Sequence, residues 1–209
     1  MRFSFAKVAL CASLPKANRQ SLPPPFIKVV NIGGTKMQTG YVQIYTGNGK
    51  GKTTAALGLC LRAAGAGKKI YFGQFMKDGN YSEITALTER FPEVTYAAFG
   101  TKGFIRKGSE RDGDTACAKQ GLADAHTALT SGAFDIVILD ELCVALFMEL
   151  IPLDDVLKLI EAKPPHTELV LTGRYAHPAL IERADLVSEI NEVKHYFTKG
   201  VDARVGIEM

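Results

Sequence analysis

The chain has 209 residues, 46% of them hydrophobic and 22% charged, an ordinary globular composition with length for one domain and its own core. No apolar run approaches the roughly 20 residues that span a bilayer; the most apolar stretch, FDIVILDELCVALFMELI (134–151), is broken by Asp140 and Glu141. The formal charge is +3, but six basic residues and no acid fall in 1–36, so the remainder carries 19 basic against 22 acidic residues, which argues against the basic face of a nucleic-acid binder.

Residues 1–36 differ in character from the rest of the chain: they contain PPP (23–25), lack acids and show no period. A basic, serine-containing, acid-poor segment suits a transit peptide or a disordered tail. A third reading, the favoured one, takes Gly33-Gly34 as the translation of a ribosome-binding site two codons upstream of Met37. Residues 1–36 are then a non-native or disordered extension, and 37–209 form the domain.

From Met37 onward strands and helices alternate. YVQIYT (41–46) is a β-branched and aromatic run. KTTAALGLCLRAAG (52–65) has helical spacing and stops at Gly65 and Gly67. KIYFGQF (69–75) is a second strand, and SEITALTERF (82–91) a helix with Ser82 as its N-cap. EVTYAAF (93–99) is a third strand, followed by a basic glycine-rich loop (100–114). A helix is expected over 116–132 and an apolar strand over 134–141, ending in two carboxylates. PLDDVLKLIEA (152–162) is a helix with Pro152 at its first position and acids in its first turn. ELVLTG (168–173) is a strand, PALIERA (178–184) a short helix, and LVSEI (186–190) the last core strand. This alternation predicts an α/β fold: a mainly parallel sheet with helices on both faces. In such sheets ligands bind at the carboxyl ends of the strands, where the glycine loop, Asp140-Glu141 and TGR (172–174) all fall.

The loop IYTGNGKGKTT (44–54) carries the chemistry. Its glycines free backbone N–H groups for phosphate oxygens, and the helix after it adds its positive end. Lys52 supplies a point charge and Thr53 a hydroxyl for Mg²⁺. The spelling departs from G-x-x-x-x-G-K-[ST]: Thr46 stands where the first glycine belongs, and Lys50 is an additional lysine. A bare G-K-[ST] triplet occurs by chance in roughly one chain in ten of this length, so the flanking strand and helix decide for a phosphate loop over a surface turn. VILDE (137–141) resembles a Walker B strand, its Asp140 or Glu141 placed for Mg²⁺. Arg174 leaves a strand on the ligand edge, where its planar fork suits phosphate; Arg62 is a second candidate. The four histidines (126, 166, 177, 195) form no spaced metal pair. Cys11, Cys60, Cys117 and Cys143 form no C-x-x-C pair, which fits a reduced cytoplasmic protein with inert thiols. These residues reach a P-loop NTPase-like protein binding Mg²⁺-nucleotide. They leave open an ATPase, a small-molecule kinase, or an enzyme that uses ATP otherwise.

TGNGKGKTTAA, with GQFMKDG (73–79), GFIRKG (103–108), VILDEL (137–142), LVLTGRYAHPALIERADLVSEI (169–190) and VKHYFTKGVDARVGIE (193–208), resembles the P-loop ATP:cob(I)alamin (corrinoid) adenosyltransferases over residues 38–209. The resemblance implies a cytoplasmic homodimer using ATP and Mg²⁺, a corrinoid substrate, an electron-donating reductase or flavoprotein partner, and neither nucleic acid nor membrane. Cobalt(I) would attack the ribose 5′ carbon of ATP, with tripolyphosphate leaving and the loop holding the triphosphate in reversed order. It assigns ATP contacts to the phosphate loop (Thr46, Gly47, Asn48, Gly49, Lys50, Gly51, Lys52, Thr53, Thr54) and to Arg62 and Arg174. Catalytic roles fall to Lys52, Thr53 and Glu141, and Mg²⁺ to Thr53, Asp140 and Glu141. Phe104 would pack under the corrinoid, and Arg106 stands where some relatives have tryptophan.

Overall fold

The computed structural model describes residues 39–79, 81–101 and 112–208. The extension 1–36, Met37, Phe104 and Arg106 lie outside the described residues. Six strands form one sheet: β1 (Val42–Thr46), β2 (Ile70–Phe75), β3 (Val94–Phe99), β4 (Ile136–Asp140), β5 (Glu168–Thr172) and β6 (Leu186–Glu189), in the spatial order β3-β2-β4-β5-β1-β6. Every pairing is parallel, so the expected mainly parallel sheet is wholly parallel among the described residues. The helices are α1 (Lys52–Gly65), α2 (Ser82–Arg90), α3 (Asp112–Thr130), α4 (Leu142–Phe147), α5 (Leu153–Glu161) and α6 (Pro178–Arg183), with a 3₁₀ turn at Tyr196–Lys199.

Alternate residues of each central strand feed two separate cores. Ile136 and Ile138 pack with Phe72, Val170 and the α1 residues Ala56 and Cys60, together with Ile84 and Leu87 of α2. Val137 and Leu139 pack on the opposite face with Leu169, Leu171 and residues of α3, α4, α5 and α6. Both faces of β4 are therefore covered, which is why its sequence is continuously apolar instead of alternating. Cys60 and Cys143 are buried here, and burial pushes their thiols up to about 11 and about 12, as inert core residues require.

Element ends differ from the sequence reading, most clearly at the caps of α2 and α5 and at both ends of α3. Tyr81, with no side-chain cap, occupies the N-cap of α2, and Ser82 is its first helical residue. Pro152 is the N-cap of α5, not its first position. α3 starts at Asp112 and ends at Thr130. Helix α4 has no counterpart in the sequence reading: LCVALF is apolar all round, with four of its six residues buried, and periodicity does not separate such a segment from the strand before it.

Candidate active site

The carboxyl ends of β1, β2, β4 and β5 lie side by side, with Gln74 opposite Asp140 and Tyr45 opposite Thr172. This brings together what the chain separates by more than 100 residues. The loop after β1 runs into α1, Glu141 comes directly after β4, and Gly173-Arg174 directly after β5. Gly173 has φ 135°, and a Cβ there would meet Cys143 Cβ at 2.9 Å and Val144 N at 3.0 Å. Only glycine lets this turn close against α4 and lead Arg174 outward.

Asp140 is fully buried and sits at the centre of a polar network. Thr53 Oγ1 donates to its Oδ1 and Oδ2 at 3.0 and 3.2 Å. Thr172 Oγ1 donates to Oδ1 at 2.6 Å, Gln74 Nε2 to Oδ2 at 3.0 Å, and Lys77 Nζ to Oδ2 at 3.4 Å. Tyr96 Oη in turn donates to Gln74 Oε1 at 3.0 Å; burial pushes that phenol up to about 12. Thr172 Oγ1 also accepts the Glu141 N–H at 3.0 Å. The acceptor capacity of Asp140 is thus used by protein donors, Thr53 among them.

Glu141 is the carboxylate that faces out. It lines a cleft of about 1140 Å³ whose walls include Asn48 to Thr54, Lys77, Tyr81, Arg174 and the last tail residues. Its backbone is left-handed, at φ 59°, a conformation non-glycine residues adopt at a cost and retain mainly at functional sites. Burial, then the Asp140 charge, raises its pKa, against the pull of Lys77, Lys52 and Arg174. Lys52 is buried, with Nζ donating to Gly49 O at 2.7 Å. Burial lowers its pKa, and the Glu141 charge opposes that most. A phosphate-bound Mg²⁺ keeps several waters and takes only one or two protein oxygens. Thr53 Oγ1 and Glu141 fit that role, with Asp140 behind them. Among the described residues, no three His, Cys, Asp or Glu converge as a closed metal site.

Other expected residues sit elsewhere. Thr46 is buried, its hydroxyl accepting the Ala176 N–H at 3.3 Å, and neither it nor Gly47 lines the cleft. Arg62 lies exposed in the last turn of α1, ten residues beyond Lys52 and about 15 Å along the axis. Sequence reasoning misses Gln74, Lys77 and Tyr96, and it places Thr172 on the ligand edge without a role. A signal for Gln74 and Thr172 exists: β1, β2, β4 and β5 each close on or near a polar residue, Thr46, Gln74, Asp140 and Thr172. A second cavity of about 520 Å³ opens between Thr115 and Lys119 of α3, Leu146 and Phe147 of α4, and Tyr175. There the rings of Phe147 and Tyr175 stack with centroids 4.2 Å apart.

Residues 38–209 match the family model described as ATP:corrinoid adenosyltransferase BtuR/CobO/CobP. The chain belongs to that family. It is 37% identical over 171 residues to the corrinoid adenosyltransferase of Escherichia coli (strain K12), covering 82% of this chain and 86% of that one. It is 38% identical over 178 residues to the corrinoid adenosyltransferase of Pseudomonas aeruginosa, with coverages of 85% and 87%. The Salmonella typhimurium corrinoid adenosyltransferase CobA is 36% identical over 177 residues, with coverages of 85% and 89%. In this adenosyltransferase the residues from Asn48 to Thr54, Glu141 and Arg174 line one cleft.

The raised Glu141 pKa bears on stability. The folded state holds this proton more tightly than the unfolded chain, so the group's contribution is lost as pH rises from the ordinary carboxylate range through the raised value. Glu141→Gln should therefore raise the melting temperature of the free protein at pH 8, and the gain should vanish at pH 4, while the Mg²⁺ concentration needed for activity rises. Melting curves at both pH values and a Mg²⁺ titration check this. A variant that melts earlier at pH 8 would show that the nearby cations outweigh burial.

Proposed function

We propose that this chain transfers the 5′-deoxyadenosyl group of ATP to the cobalt(I) of a corrinoid and releases tripolyphosphate, with Mg²⁺ bound at Thr53 and Glu141. The observation that carries the reading is the convergence of Lys52, Thr53, Glu141 and Arg174 on one cleft in a chain of the corrinoid adenosyltransferase family. Cobalt(I) supplies both electrons of the new Co–C5′ bond and becomes formally cobalt(III). The C5′–O bond breaks, and its electron pair leaves on the triphosphate. The nucleophile is the substrate metal, so no protein base is required. Mg²⁺ would neutralise part of the charge on the departing chain. Lys52, the loop N–H groups and Arg174 stabilise the same charge as it develops, so the loop acts as a handle on the leaving group, with ATP lying in the reversed order. A reductase or flavoprotein would supply cobalt(I), and the working form is a cytoplasmic homodimer. Among the described residues no helix is long and apolar enough to cross a membrane.

Phosphorus NMR of the products, with chemically reduced corrinoid present, tests the reading. Intact tripolyphosphate and little ADP are expected, and an ATP analogue with a β–γ imido bridge should still be a substrate, because that linkage is not cut. Stoichiometric ADP and orthophosphate would overturn it in favour of an ATPase.

The proposal extends to two regions outside the described residues. Phe104→Ala should leave ATP affinity unchanged and slow adenosylation when cobalt(II) must be reduced on the enzyme. It should matter less when free cobalt(I) is supplied; equal losses in both assays would remove Phe104 from the corrinoid face. The chain is proposed to work as residues 37–209, in keeping with a family match over 38–209. Protein starting at Met37 should keep its melting temperature and activity, and a large loss of either would show that 1–36 belong to the working domain.

A further inference from the structure

The tail after β6 resembles the family's, yet the proposed chemistry gives it no task. In the structure it folds back on the phosphate loop at two places. Behind the loop, the Gly49 N–H donates to Ile190 O at 2.7 Å, and the Ile190 N–H to Thr46 O at 2.8 Å. Gly47, at φ 97°, leaves so little room that a Cβ would meet Ile190 O at 2.4 Å. At the mouth of the loop, Lys50 Nζ donates to Glu208 Oε1 at 2.9 Å, to Tyr196 Oη at 3.1 Å and to Ile207 O at 3.2 Å. These use all three donors of the ammonium.

The receiving carboxylate is itself fixed. Tyr196 Oη donates to Glu208 Oε1. The Arg204 backbone N–H donates to Oε2 at 2.9 Å, and its guanidinium reaches both oxygens, at 3.2 and 3.3 Å. Hydrogen bonds from Arg204, Tyr196 and Lys50 hold Glu208 well below the usual carboxylate range. Gly206, Ile207 and Glu208 also form part of the cleft wall. This is a built arrangement, with a carboxylate organised by its own segment and presented to a lysine more than 150 residues away.

We propose that Glu208 and Tyr196 are positioning residues for ATP, acting through Lys50: the tail takes up the donors of the second lysine of the phosphate loop and so fixes its positive charge at the cleft, where it acts on the triphosphate as a positioned charge. A free lysine loses rotamer freedom when it is recruited to a ligand; one already tethered loses less on binding, so affinity rises through preorganisation. This inference rests on the reading of the cleft as the ATP site.

The test is calorimetric binding of MgATP to the full chain without corrinoid, for wild type, Glu208→Gln, Lys50→Ala and the double variant, with steady-state kinetics alongside. Glu208→Gln should weaken MgATP about five- to tenfold, as expected for the net worth of one exposed hydrogen bond. The loss should appear in KM for ATP, with kcat held within about twofold. In the Lys50→Ala background Glu208→Gln should cost nothing further, because its route is gone. A Glu208→Gln loss that persists without Lys50 would overturn the inference, and so would unchanged affinity. Tighter binding would overturn it as well, by showing that Glu208 competes with the triphosphate. If the wild-type chain itself does not bind MgATP, the proposed function falls and takes this inference with it.

Discussion

Lys52→Ala should lower kcat/KM for ATP by on the order of 10²-fold or more, the largest loss expected from a single charge in the site. Lys52 stands after the glycines of the loop at the first position of α1, buried and directed back over the Gly49 carbonyl. In the proposed reaction a departing triphosphate would gain negative charge at the moment the C5′–O bond breaks, and a fixed cation would stabilise it more than water does. The free protein should respond in the opposite sense. Burial lowers the Lys52 pKa, so the folded state binds this proton less tightly than the unfolded chain, and near neutral pH the charge opposes folding. Lys52→Ala should therefore melt no earlier than wild type while turning over far more slowly. Single-turnover adenosylation with MgATP and reduced corrinoid, beside a melting curve, separates the two effects. Near wild-type turnover would show that the loop is not where the triphosphate leaves.

The same residues show how far sequence alone reaches. Lys52, Thr53 and the Asp140-Glu141 pair are legible because their signals are local: glycines before a helix, and an apolar strand closed by acids. Strands alternating with helices are enough to put Arg174 on the same edge, since parallel strands all end together. What stays hidden depends on side chains meeting across the chain. Nothing near Lys50 announces Glu208, and nothing near Asp140 announces that Thr172 donates to it. The division of labour between the two acids is hidden too. As a motif, both acids point to the metal, but the geometry surrounds Asp140 with protein donors and turns Glu141 to the cleft. Arg62 is the converse case: resemblance brings it to phosphate, while helix geometry carries it ten residues down α1.

That division makes Asp140→Ala the substitution with the largest expected effect on stability. The carboxylate has no solvent exposure, and its removal leaves Thr172, Gln74 and Thr53 without their acceptor and Lys77 without its nearest anion. Breaking one side of a buried charged network costs about 3–5 kcal/mol, which for a domain of this size lowers the melting temperature by roughly 10 °C or more. Asp140→Asn should cost less than half of that. Its remaining oxygen can serve Thr53 and Thr172 at the Oδ1 position. Its amide can meet Gln74 if that side chain turns over, because Tyr96 Oη can then accept from Gln74 instead of donating to it. Only the pairing with Lys77 is then lost. Adding Tyr96→Phe removes the acceptor that makes the turn possible, so the Asn variant should lose more in that background than in the wild type. The functional readout comes from the same contacts. If Asp140 acts by fixing Thr53, Asp140→Asn should raise the Mg²⁺ concentration at half-maximal rate less than Glu141→Gln does. If Asp140 bound the metal directly, the order would reverse, and a Mg²⁺ titration of the two variants decides between them.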